Sequence, residues 1–169
     1  MSLKKLYNRS IIQTEKFNLS PKELWGIISA QSNLEDYHPF CKSNTPIEWS
    51  DDNHSDKLEY LNGTVFERHF LTWIENKGYD LYFGREGGRK SHVSWRIKKI
   101  NSNQTQLSIE VHTWIFNQGN RFLEFLPFTF FVRPRLNKYL KSVLGGLKWF
   151  VIHQKPTPRN HFGKIQWFS

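Results

Sequence analysis

The chain has 169 residues, of which 38% are hydrophobic, 16% aromatic and 23% charged. That balance is too apolar for a disordered chain and too interrupted by charge for an integral membrane protein. At this length one ordinary domain is expected, burying roughly 70% of the surface of its unfolded chain. Residues 1–169 therefore read as a single soluble globular domain, with a core at about 10–152 and a tail at 153–169.

Cys41 is the only cysteine, which excludes an intrachain disulfide and a cysteine-rich zinc site and makes a reducing cytoplasm the expected location. The conspicuous apolar run from Phe125 to Val132 is far short of the roughly 20 residues that a spanning helix needs. The opening MSLKKLYNRSII lacks the apolar core of a signal peptide, so export is not expected.

The formal net charge of +9 is unevenly placed. Residues 117–169 hold nine basic side chains against Glu124 alone, a net +8, and leave about +1 for residues 1–116. A basic third of this kind suits a solvated face, an anionic phospholipid surface or an acidic partner. Nucleic acid is not expected, because no binding motif is present and the aromatics alternate with apolar neighbours as core residues do.

Residues 10–18 mix β-branched and polar side chains and read as a first strand. Ser20-Pro21-Lys22-Glu23 supplies a capping hydroxyl, a proline at the first helical position and a returning glutamate, so a helix starts there. Leu24, Ile27 and Ile28 form its apolar face; residues 30–33 break it, and a short helix over 34–38 closes against Pro39. From Ile47 onward the texture is strands and turns. A strand at 47–50 ends in an acidic loop at 51–56, and strands at 57–61 and 64–75 flank Asn62-Gly63, read as a type I′ hairpin. Tyr79, Leu81 and Phe83 share a face of the next strand. Val93, Trp95 and Ile97 share a face of residues 91–100, and Leu107, Ile109, Val111 and Ile115 share one of the strand after it. Centring the turn on Asn103 sets Ser94 opposite His112 and Arg96 opposite Glu110.

The last element is helical. Leu136, Leu140, Val143, Leu144, Leu147 and Val151 form a continuous apolar stripe. Gly145-Gly146 within it points to close approach of a neighbouring backbone or ligand, and the tail beyond His153 reads as a surface wrap. The segment RFLEFLPFTFFVRPR, residues 121–135, reads either as an extension of the last strand that folds down as a lid or as a patch touching a membrane or partner.

The first strand running into FNLSPKELWGIIS, the VSWRIKKI strand followed by TQLSIEVHTWIF, and the terminal RPRLNKYLKSVLGGLKWFV together resemble the helix-grip fold of the SRPBCC, or START-like, superfamily of polyketide cyclase/dehydrase and lipid transport type. The resemblance implies an α+β fold: a curved antiparallel sheet of six to seven strands around a long C-terminal helix, with a cavity between them for a hydrophobic small molecule or lipid. The residues expected to line it are Tyr37 at the mouth, Val93, Trp95, Ile97, Ile109, Val111, Leu140, Leu144 and Leu147. Arg68, His69 and Tyr82 are the polar side chains that strand alternation could turn inward, and either face of residues 64–75 remains open at this stage.

No catalytic residue, cofactor or metal is assigned. The histidines lack metalloprotease spacing, the glycines of residues 84–88 match no phosphate-binding loop, and Cys41 reads as a small buried residue. The leading expectation is binding of a hydrophobic ligand. A cyclase- or dehydrase-like enzyme is the alternative, and a peripheral membrane or protein-interaction module is the third reading.

Overall fold

The computed structural model describes residues 7–169, so the N-terminal segment read above for export lies partly outside the described residues. Strand β1 (Ile11–Phe17) runs into helix α1 (Pro21–Ile28) through the Ser20 cap. The Glu23 carboxylate accepts the Ser20 N–H at 2.8 Å, and Ser20 Oγ accepts the Glu23 N–H at 3.3 Å, so two orphan donors are satisfied reciprocally. Ser32 adopts a left-handed φ of 58°, and helix α2 (Leu34–Tyr37) follows.

Strands β2 (Cys41–Trp49), β3 (His54–Tyr60), β4 (Val65–Ile74), β5 (Gly78–Gly84), β6 (Lys90–Asn101) and β7 (Gln104–His112) complete a seven-stranded sheet. All its pairings are antiparallel, in the order β1-β7-β6-β5-β4-β3-β2. A single-turn helix α3 (Phe125–Pro127) and a π-helical turn at Phe128–Val132 lead into the long helix α4 (Arg133–His153). This is the curved sheet and C-terminal helix of a helix-grip fold.

Side-chain alternation sets the inner face. Tyr79 pairs with Trp95 and Trp95 with Ile109 across β5, β6 and β7; Leu81, Val93 and Val111 form the next row. All six are buried. Helix α4 lies against β1 and α2 along one side, and its stripe residues Leu140, Val143, Leu144 and Leu147 join the same core.

The structure corrects several expectations. Strand β2 begins at Cys41, six residues before the expected start, and β3 begins at His54, so Asp56 belongs to a strand rather than to an acidic loop. The β3–β4 connection is not a type I′ turn, since Gly63 alone of its two expected residues has a positive φ, 80°. Gly63 N–H donates to Tyr60 O at 2.9 Å and Tyr60 N–H to Thr64 O at 2.8 Å, the pattern of a three-residue loop whose last residue is left-handed. The β6–β7 register is shifted by two: Ser94 faces Glu110, Arg96 faces Ser108 and His92 faces His112. Arg96 finds its carboxylate on the other side, at Asp80 of β5, 2.6 Å away.

Strand β7 ends at His112, before Ile115, and residues 121–135 are largely turn and helix rather than an extended strand. The tail runs over the surface with most of its side chains exposed, but it is also anchored to the core. Thr157 N–H donates to Asp36 O, Asn160 N–H donates to Pro39 O, and Ile165 and Phe168 are buried in the core.

The expectation of close approach at the glycine pair holds. A Cβ on Gly146 would overlap the Tyr37 carbonyl oxygen, so α4 can lie on the end of α2 only with hydrogen at this position. Gly146→Ala is therefore expected to destabilise the protein by about 2 kcal/mol or more, despite alanine's better helix propensity. Gly26→Ala in α1, where a Cβ would meet nothing within 4 Å, is expected to stabilise by about 0.5–1 kcal/mol. Chemical denaturation of both variants checks the opposite signs.

Candidate functional site

Between α4 and the inner face of β4–β7 lies a cavity of about 630 Å³, within the size range of small-molecule sites. Its walls are mostly apolar: Phe66, Leu81, Phe83, Val93, Trp95, Ile109 and Val111 from the sheet, and Leu136, Leu140 and Val143 from the helix. Leu34 and His38 close one end, and Trp167 and Phe168 of the tail stand against it. Exposed Arg85, Gly88 and Arg89 of the β5–β6 turn mark where the lining reaches the surface.

Of the residues expected from sequence, Val93, Trp95, Ile109, Val111, Leu140 and Arg68 border this space. Leu144 and Leu147 are buried in the core beside it rather than on its wall, and Ile97, paired with Leu107 further along the sheet, is only partly buried. Tyr37 is not at a mouth: it is fully buried, and its hydroxyl has no hydrogen-bond partner among the described residues. His69 and Tyr82 face each other across β4 and β5 on the outer side. His69 pairs there with Glu67 at 3.1 Å, and Tyr82 lies edge-on to the His92 ring.

The question of which face of β4 points inward has a mixed answer. Phe66, Arg68 and Phe70 point inward, then a bulge between Phe70 and Thr72 shifts the register and brings Trp73 opposite Tyr79. Trp73 then stacks on Tyr79 with centroids 5.5 Å apart, while Leu71 and Ile74 are left exposed. One extra residue in a strand moves every later side chain to the other face.

Arg68 is the polar centre of the inner face. It lies opposite Asp56 in the β3–β4 ladder, and its Nε donates to Asp56 Oδ1 at 2.7 Å. Its Nη2 donates to Asp56 Oδ2 and to the side-chain oxygens of Asn33 and Asn44, each of those at 3.3 Å. The two amides are themselves fixed, since Asn33 Nδ2 donates to Ile28 O and Asn44 Nδ2 to Lys57 O. Burial works against the guanidinium charge, but the Asp56 charge and hydrogen bonds outweigh it and raise the pKa of Arg68 above its usual value.

A second polar group was not read from the sequence. His38 Nε2 lies 2.8 Å from Tyr139 Oη, and Tyr60 Oη lies 2.8 Å from the same oxygen. His38 Nδ1 accepts the Phe40 N–H at 3.3 Å, which puts the proton of the neutral ring on Nε2, donating to Tyr139. Tyr60 is fully buried, and in its bond with Tyr139 either hydroxyl can be the donor. Tyr139 Oη thus accepts from His38 and is joined to Tyr60 Oη by a further hydrogen bond. Tyr139 and His38 line the cavity. The signal that could have found this group is a tyrosine set beside the apolar stripe, one residue before Leu140 on α4.

Burial pushes the His38 pKa down to about 3, with the positive Arg68 adding to the effect. Burial pushes the Cys41 thiol up to about 12, with Glu35 adding to it, so a thiolate nucleophile is not formed at neutral pH.

No family model and no curated protein matches this sequence. The structure is similar to that of a START superfamily protein from Mycobacterium smegmatis, with a TM-score of 0.65 and 14% identity over 86% of this chain and 99% of that one. A protein from Thermus thermophilus matches with a TM-score of 0.66 and 11% identity over 86% of this chain and 99% of that one. The di-domain ARO/CYC protein StfQ of the steffimycin biosynthetic pathway matches with a TM-score of 0.60 and 9% identity, covering 85% of this chain and 45% of that one. At such identities the likeness concerns the fold. The chain has the START-like, or SRPBCC, helix-grip fold, with a cavity between its sheet and its C-terminal helix.

The His38 environment has a measurable sign. Its folded pKa of about 3 lies below its ordinary 6.5, so the unfolded chain binds the extra proton. Stability contributed by keeping the ring neutral is complete above pH 6.5 and is lost progressively as pH falls toward 3. Denaturation between pH 6.5 and 5 is expected to show a stability slope larger in the wild type than in His38→Gln, by about half a proton at pH 6.5 and nearly one proton at about pH 5.

Proposed function

We propose that this chain binds a hydrophobic small molecule that carries at least one hydrogen-bond acceptor. The observation that supports the reading most is the cavity itself. Its volume of about 630 Å³ is bordered by core residues of both sheet and helix, and among the polar groups on its wall Arg68 and the His38–Tyr139 pair are held at defined positions. Apolar walls supply affinity through surface removed from water, and a small number of fixed donors supplies orientation. The proposal takes residues 1–169 as one binding unit in the cytoplasm. Among the described residues no helix is long and apolar enough to cross a membrane.

A second reading, cyclase- or dehydrase-like catalysis, draws support from the same inward polar cluster and from the similarity to the ARO/CYC fold. Arg68 and Tyr139 could stabilise a developing oxyanion. The reading lacks a matched base, because His38, with a pKa of about 3, holds an abstracted proton poorly at neutral pH. Binding is therefore the preferred function. Conversion of a poly-β-ketone by the wild type, lost in Tyr139→Phe while binding persists, would reverse that preference.

N-phenyl-1-naphthylamine, an uncharged probe whose emission rises in apolar surroundings, is expected to bind one per chain. Leu140→Trp places extra volume on the cavity wall and is expected to weaken that binding by about tenfold or more while the chain stays folded. Equal titration curves for the wild type and this variant would contradict the assignment.

A further inference from the structure

The segment between β7 and α4 presents an apolar surface that the cavity does not use. Phe122 and Phe130 are 90% and 73% exposed, and Leu123, Phe125 and Leu126 are exposed as well. Phe128 and Val132 of the same segment are buried, so the turn is anchored to the core while its other apolar side chains point away from it. Contiguous exposure of this kind marks a surface that meets another phase or partner.

The charge around it identifies the partner. Arg121 and Arg133 are exposed at either end. Arg135 lies 3.9 Å over the Phe131 ring, and Lys138 and Lys141, both exposed, follow on the next turns of α4. Glu124 is the only acid in residues 117–169, and its carboxylate accepts the Gly119 N–H at 2.9 Å. A second copy of the chain would bring the same net +8 against itself and be repelled. An anionic lipid surface is complementary to both features at once, taking apolar rings at the acyl boundary and arginines at the phosphates.

The patch is also continuous with the cavity rim. Phe131 lies 5.6 Å from the ring of Trp167, which lines the cavity. We propose that residues 121–135 dock the protein on anionic phospholipid bilayers, with the rim at Trp167 beside the membrane surface. This goes beyond ligand binding and does not require it, although it would give an apolar ligand a route that avoids water.

The test is co-sedimentation of the purified full chain with vesicles of phosphatidylcholine alone and with about a third phosphatidylglycerol. Binding is expected on the anionic vesicles, much less on the neutral ones, and should fall as salt rises from about 0.1 to 0.5 M. The double variant Phe122→Ser with Phe130→Ser is expected to lose about tenfold or more of the affinity with unchanged thermal unfolding, since both side chains are exposed. Absent binding to anionic vesicles, equal binding to neutral ones, or undiminished binding by the double variant would overturn the proposal. So would a self-association that the double variant abolishes without any vesicle binding. The vesicles carry no cavity probe and the probe titration uses no vesicles, so failure of one leaves the other standing.

Discussion

The inner face of this sheet is organised around one buried ion pair. Asp56 and Arg68 face each other across β3 and β4, and both are almost wholly removed from water. Two charges can occupy such a place only if each is paired and hydrogen-bonded, because leaving one alone costs roughly 3–5 kcal/mol. That requirement reaches outward. Arg68 takes the side-chain oxygens of Asn33 and Asn44, and these amides in turn hold Ile28 O and Lys57 O. The end of α1, the approach to α2 and strands β2, β3 and β4 are thus tied to one guanidinium, whose position on the cavity wall follows from the same contacts.

Helix α4 completes the enclosure from the other side. The hydrogen of Gly146 allows its backbone to approach the Tyr37 carbonyl, and Thr157 Oγ1 donates to Gly146 O at 2.8 Å, which brings the tail to the same place. The helix and α2 are then close enough for Tyr139 to meet His38. Phe168 packs on Tyr139 and Tyr60, with centroids 4.3 and 4.7 Å away. A helix contact set by one missing methyl group thereby positions a second polar group on the wall of a mostly apolar chamber.

Much of this was legible in the sequence, and the rest was hidden for definable reasons. The capping box at Ser20, the alternation through Val93, Trp95, Ile109 and Val111, and the stripe on α4 are local patterns, and local patterns survive reading one residue at a time. Asp56 reads as a loop acid in the sequence because an aspartate near Asp51, Asp52 and Asn53 looks solvated until its partner twelve positions on is seen opposite it. The fourth strand looked ambiguous because it is so: its inward set changes at the bulge after Phe70, and a bulge leaves no mark in a single sequence. The resemblance puts Tyr37 at a cavity mouth, whereas the short helix that carries it is covered by α4. The tail, rich in turn formers, carries Trp167 and Phe168 into the cavity lining, a tertiary contact that composition does not encode.

The proposed capture of an apolar molecule that presents an acceptor atom draws its support from the fold, the cavity and the polar side chains on its wall. The most direct measurement is native mass spectrometry of the full chain after exposure to a lipid extract, with Leu140→Trp treated in parallel. A discrete noncovalent adduct on the wild type, released on denaturation and absent from the variant, is the predicted result. Bare chain in both spectra, or the same adduct on both proteins, would contradict the assignment of the cavity as a ligand site.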